Sequence, residues 1–325
     1  MTAILESYSQ LAIYSAMAVY TLAFIAFTLD LAKRTSAVQV VAAVPAVRVG
    51  VLTRAGGTAT LEREPEVAAP VVPPTPRSSP FERVAFSLTV VAWLLHVAGT
   101  VLRGVAAHRV PWANMFEFSL TASAIIVTVF IFVQLWQNLR FLGAYITGFA
   151  LIVLGVGTVN FYVPVVPLPP ALQSYWLVIH VFVATLGTAF FAIAGGLSIA
   201  QLMQVRREAG KFAAVKFMAT LPTAERLENL AYRVVLVGFV FWTFTLIAGS
   251  IWAEHAWGRY WGWDTKEVWT FIIWTIFAGY IHARATRGWR GTRSAWLSLI
   301  GFGAVMFNFT IVNLFFKGLH SYSGL

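Results

Sequence analysis

The chain predicts an all-α, polytopic membrane protein: a bundle of about eight spanning helices with both termini on the outer side. Three observations carry this. Of the 325 residues, 59% are hydrophobic and 11% charged, with a mean hydropathy of +0.75. Apolar runs of ~20 residues recur, the length at which a helix crosses the hydrocarbon core with its backbone hydrogen bonds satisfied internally. Finally, Lys and Arg are distributed unequally between alternate loops.

The apolar runs fall at roughly 10–31, 84–103, 118–137, 141–160, 175–203, 230–252, 267–284 and 295–316. The first is read as a retained span rather than a signal peptide, because its flank is not basic and no small-residue cleavage site follows. Residues 1–34 thus form a first transmembrane helix. Residues 35–83 are rich in Ala, Val and Pro and lack a helical period, so they are read as a disordered cytoplasmic linker. The second span has a defined start at Ser79-Pro80-Phe81-Glu82, which offers an N-cap, a proline at the first helical position and a glutamate at the third. Residues 84–325 form the main membrane domain. Within it, Leu221 to Arg226 open the amphipathic turn that feeds the sixth span.

Basic residues cluster at 33–83, at Arg140, at 206–233 and at 284–293. The alternate loops hold Arg103, Arg109, Arg259, Lys266 and Lys317. The richer set marks the cytoplasmic side, so the net charge of +10 is read as topology rather than as affinity for nucleic acid. The chain has no cysteine, which excludes thiol exchange and thiolate metal sites of its own. It contains no internal repeat, phosphate loop, Ser/His/Asp arrangement or HExxH motif. No catalytic acid, base or nucleophile is assigned. Arginine exceeds lysine and Ala and Val are abundant, as in a GC-rich bacterial genome. The membrane is accordingly read as the bacterial plasma membrane rather than a thylakoid.

The chemistry is concentrated at residues 252–269. Trp252, Trp257, Tyr260, Trp261, Trp263 and Trp269 lie there, with Gly258 and Gly262 between them. Tryptophan and tyrosine are enriched at membrane interfaces in any case. An ordinary aromatic belt, however, is spread over many helix ends. A dense aromatic loop with two glycines suits a flat surface for a planar ring. Asp264-Thr265-Lys266-Glu267 is a capping-box pattern, which gives Asp264 a role in fixing the loop. His180 and His320 lie near the outer ends of their spans, and neutral imidazoles are suitable axial ligands for haem iron. His282 follows Asp264 by eighteen residues, ~27 Å deeper on a helix, and cannot bind the same iron. It marks a second, inner site, since ionisable residues inside a membrane are functional candidates. His96 is read as a helix–helix contact, and His108 and His255 as ordinary interfacial residues. Haem propionates want cations, and Arg259, Lys266, Arg103 and Arg109 are the outer candidates.

The run from Leu221 to Arg284 resembles the CcsA/ResC family of haem-handling proteins of system II cytochrome c maturation. The resemblance rests on Trp257-Gly258-Arg259-Tyr260-Trp261-Gly262-Trp263-Asp264-Thr265-Lys266-Glu267-Val268-Trp269, the family's WWD domain, and on Tyr280-Ile281-His282-Ala283-Arg284. His180 and His320 stand where the family has two external histidines, and Pro111–Glu117 looks like its short outer motif. The resemblance implies haem b moving from an inner site at His282 to an outer site held by His180 and His320. There the thiols of a Cys-x-x-Cys-His motif in apocytochrome c add to the haem vinyl groups. It implies a membrane partner of the ResB/CcsB type, with which the chain forms a holocytochrome c synthase, and a separate thiol reductant. Thr265 departs from the family's usual proline, a change tolerated at a first helical position. Two other readings of the same residues are a b-haem electron-transfer subunit and a non-haem transporter whose Trp loop is only an anchor.

Overall fold

The computed structural model describes residues 1–43, 79–168, 170–211, 216–286, 288–316 and 318–320. All regular elements among them are helical: α1 (Thr2–Ala43), α2 (Pro80–Ala107), α3 (Met115–Val133), α4 (Gly143–Asn160), α5 (Tyr175–Glu208), α6 (Ala224–Trp257), α7 (Thr265–Thr286), α8 (Thr292–Phe309) and α9 (Ile311–Phe315). Among the described residues, seven stretches are long and apolar enough to cross a membrane, from Thr2–Arg34 in α1 to Thr292–Phe315 across α8 and α9. The protein is therefore a multi-pass membrane helix bundle.

Two expectations need correction. The helix α1 continues to Ala43, past the expected boundary at residue 34, and α2 is already helical from Pro80. Most of the expected linker (44–78) lies outside the described residues. The helix α7 is present, but it is more polar than the other spans. Lys266 and Glu267 occupy one end and Arg284 the other, so its uncharged stretch runs only from Val268 to Ala283. At ~1.5 Å per residue this is about 24 Å, shorter than a full hydrocarbon core.

Helix ends follow local rules. Ser79 caps α2 by accepting from Glu82 N at 3.1 Å, with Pro80 at the first helical position as expected. Asn114 caps α3 by accepting from Glu117 N at 2.9 Å. Gly258, at φ +69°, ends α6 in the left-handed conformation that glycine adopts without penalty.

α1 and α2 lie against each other along their length, and α5 pairs similarly with α6. α5 is the central wall. Its Ala189, Ala192, Ile193 and Leu197 face a core shared with α1, α3 and α4. Phe191 and Ala194 face a second core made with Val235, Trp242, Ile273, Phe277 and Val305 of α6, α7 and α8. A helix apolar on all sides belongs in the interior of a bundle. In the second core the Phe191 and Phe277 rings stack at 3.7 Å.

At the end of the bundle opposite the Trp loop, buried Glu228 ties three elements. It pairs with Arg284 of α7, accepts from Gly291 N at 2.8 Å and accepts from Ser294 Oγ of α8 at 3.2 Å. Asp30, Arg34 and Glu82 tie α1 to α2 at the same end.

Candidate functional site

The other end of the bundle gathers the termini of α3, α5, α6, α7 and α8, and the candidate residues converge there. His180 is on the second turn of α5. Its Nδ1 lies 3.1 Å from the carbonyl oxygen of Thr245 in α6, and its ring stacks on buried Trp252 at 5.8 Å with 16° between planes. Gly249 makes this approach feasible: a Cβ there would sit 2.7 Å from His180 Cε1. His320 follows α9. Its Nδ1 lies 2.7 Å from Asp264 Oδ2, and its ring packs edge to face on Trp252 and Trp257 at 5.4 and 4.8 Å.

The acceptors fix the tautomers. A carbonyl and a carboxylate only accept, so each imidazole donates from Nδ1 and keeps its lone pair on Nε2. This is the arrangement by which a carbonyl or carboxylate orients a metal-ligating histidine. Burial pushes the His320 imidazole below its ordinary pKa, and the hydrogen bond to Asp264 pulls the other way. The His320 hydrogen bond in turn holds the Asp264 carboxyl below the usual carboxylate range, against burial. The pair is therefore a neutral imidazole facing a carboxylate.

Both histidines line two adjoining open chambers. The chambers share His180, Ala184, Lys266, Phe309 and His320. The first is completed by Trp242, Gly249, Tyr260, Trp261 and Asn308. The second is completed by Trp112, Met115, Phe118, Leu177, Trp252 and Asn313. The donor set suits an iron-containing macrocycle: two imidazoles with lone pairs on Nε2, a largely aromatic wall, and the half-buried Lys266.

The Trp loop is more articulated than the flat surface expected from sequence. Trp252 and Trp257 meet at 63°, and Trp261 and Trp263 at 89°. Tyr260 and Trp261 reach the first chamber, while Trp263 is 72% exposed. Trp263 also has φ +59°, an uncommon conformation for a bulky side chain. Trp269 packs away from the site, against Phe307. Glu267 supplies its half of the expected capping box and more, accepting from Asp264 N at 3.0 Å and Gly262 N at 2.8 Å. The Asp264 carboxylate is spent mainly on His320 and on Leu319 N at 3.3 Å. Its role as orienter of a histidine was not visible in the sequence.

The four cations separate. Arg103 is buried and bonds Glu117, Glu6 and the Val163 carbonyl, while Arg109 bonds Glu117. Glu117 is fully buried and also accepts from Ala113 N at 3.1 Å. Both arginines thus fix the Pro111–Glu117 segment through Glu117. Arg259 pairs with Glu267 at 3.3 Å and lies over Trp257. Lys266 alone of the four borders both chambers.

His282 lies exposed on α7, far from this site, as its position on the helix requires. His96 is fully buried, with Nε2 at 3.0 Å from the Leu120 carbonyl and Nδ1 at 3.4 Å from Tyr20 Oη. With both nitrogens engaged it is a helix–helix contact, as expected.

The profile of the Cytochrome C assembly protein family matches residues 83–320. A cytochrome c biogenesis protein CcsA of Guillardia theta is 32% identical over 259 residues, covering 74% of this chain and 86% of its own. The CcsA of Synechococcus sp. (strain RCC307) is 35% identical over 273 residues, covering 76% and 86%. Among solved structures, the cytochrome c haem lyase CcmF superposes with a TM-score of 0.64 at 15% identity, covering 98% of this chain and 48% of that one. The present chain thus spans about half of that structure, and the likeness concerns the fold.

Proposed function

Because the chain belongs to the cytochrome c assembly protein family, we propose that it carries haem to the outer face of the membrane. There it presents haem for covalent attachment to apocytochrome c. Its part in cytochrome c assembly follows from the family; haem delivery and the residues that perform it are our reading. The observation that carries it is the pair His180 and His320. Each donates from Nδ1 to a fixed acceptor, and both border the same chambers.

Haem supplies the iron and the vinyl groups to which cysteine thiols add. The protein's contribution is to bind, orient and shield. His180 and His320 would hold the iron, and Trp252 and Asp264 set their ring planes. Tyr260 and Trp261 close one side of the cavity. Catalysis of this kind is positioning rather than acid–base chemistry. The chain has no cysteine, so the thiols come from the client and their reduction from elsewhere. His282, exposed on its helix, suits an inner haem site completed by a membrane partner of the ResB/CcsB type. By the positive-inside rule the Trp-loop end faces outward, and the composition favours a bacterial plasma membrane.

The test is cytochrome c assembly in cells in which this chain is the essential assembly factor. His180→Ala combined with His320→Ala is expected to abolish covalent haem in c-type cytochromes while the membrane protein still accumulates. Assembly at the wild-type level would overturn the reading.

A further inference from the structure

The chambers hold a third side chain able to bind iron. Among the described residues lining them, Met115 carries the only sulfur. It borders the second chamber together with His180 and His320 and is 8% exposed. A thioether is a soft, neutral ligand, and methionine opposite histidine is a known pairing at haem iron.

The surroundings of Met115 aim its sulfur. Met115 opens α3, and its backbone is held in place. Asn114 caps the helix, Ser119 Oγ donates to the Met115 carbonyl at 2.7 Å, and buried Glu117 accepts from Ala113 N. The side chain beyond is unbranched and flexible, so the sulfur moves while the backbone does not. Asn313 Nδ2 donates to Met115 Sδ at 3.5 Å. The orientation of that amide is fixed by its other end. Its Oδ1 accepts from Lys266, whose ammonium also donates to the Asn308 carbonyl at 3.2 Å, so the amide nitrogen faces the sulfur. Asn313 lies on α9, just past the kink at Thr310, and shares a small recess with Lys266 and His320. The thioether is thus directed by residues that also surround His320. Packing alone requires no such donor.

A need for this ligand follows from the proposed function, on which the inference rests. Iron held by two imidazoles has no open position. For haem to leave with a client, at least one of the two bonds must break. His180 is stacked on Trp252 and bonded to the Thr245 carbonyl within the bundle, whereas His320 follows the short α9. We infer that Met115 is a reserve axial ligand, which takes the iron opposite His180 when His320 lets go. The bond from iron to His320 Nε2 breaks and a bond from iron to Met115 Sδ forms. Both ligands are neutral, so no proton or electron moves.

The experiment is absorption and near-infrared magnetic circular dichroism of the haem-loaded full chain in detergent, which distinguish sulfur from nitrogen ligation. Wild type is expected to show two nitrogen ligands. Ferric His320→Gly should show the charge-transfer band of a thioether opposite an imidazole, with a raised reduction potential. His320→Gly/Met115→Leu should lose that band. Selenomethionine in place of methionine should shift it, which a merely structural methionine would not do. Added imidazole should return His320→Gly to the wild-type spectrum and so report that the variant is folded. His320→Asn takes its place should the glycine variant fail to accumulate. Haem bound by these variants only with added imidazole, haem bound without a sulfur signature, or no haem in either variant would overturn the reserve ligand while leaving the histidine pair intact. A sulfur signature that survives Met115→Leu would do the same. A wild-type protein without haem, or with a spectrum indifferent to both histidines, would instead remove the functional reading and this inference with it.

Discussion

At the scale of single residues, the two histidines depend on neighbours whose roles are separable. Asp264→Asn removes the carboxylate that fixes the His320 tautomer. Loss of such an orienting partner costs about 10–100-fold in metal affinity, and haem titration of purified protein should show a loss of that order with the fold intact. Gly249→Ala places a Cβ against His180. Overpacking of this kind costs roughly 1–3 kcal/mol, so haem binding should weaken and its spectrum change. Gly279→Ala is the control: nothing lies within 4 Å of its Cβ position, and its haem spectrum should match wild type. His180, His320 and the aromatic loop were legible in the sequence because imidazoles and dense tryptophan near helix ends are rare. Asp264 as orienter was not, because a capping-box pattern already explained it. Asn308 and Asn313 were a readable signal, two amides at the end of the last apolar run, but their meaning required the kink that brings them to Lys266.

At the scale of elements, helix existence was readable and helix ends were partly so. The Ser79-Pro80 start and the Gly258 stop follow from capping chemistry. The extension of α1 to Ala43 was hidden by a valine- and alanine-rich stretch with no period to read. Pairings between helices were also beyond the sequence. The Glu228 cluster joining α6, α7 and the start of α8 comes from residues dozens of positions apart. Removing one partner of a buried ion pair costs about 3–5 kcal/mol. Glu228→Ala should therefore lower the thermal midpoint of the detergent-solubilised protein by several degrees or prevent its accumulation. A midpoint equal to wild type would show that the cluster does not secure these helices. Arg103 and Arg109 show the same limit: their shared partner, Glu117, is the buried centre of a structural network that sequence spacing does not reveal.

At the scale of the whole molecule, the bundle separates two ends with different work. One holds the paired histidines, the Trp loop and Lys266; the other holds ion-paired anchors and exposes His282 nearby. The cysteine-free background permits a direct check of which end faces outward. Single cysteines at exposed Trp263 and Gly210 should react with an impermeant thiol reagent from opposite sides of the membrane, position 263 from outside; labelling of both from one side would contradict the bundle topology. The fold class followed from composition and run length, whereas the convergence of α3, α5, α7 and α9 on one cavity required the packing. The central claim is that His180 and His320 hold haem together, and the absorption spectrum of the purified protein tests it most directly. Wild type, purified with its membrane partner, should show a Soret band and a sharp reduced α-band that are lost or shifted in the His180→Gly/His320→Gly protein. Identical spectra from the two proteins would place the haem elsewhere and contradict the account.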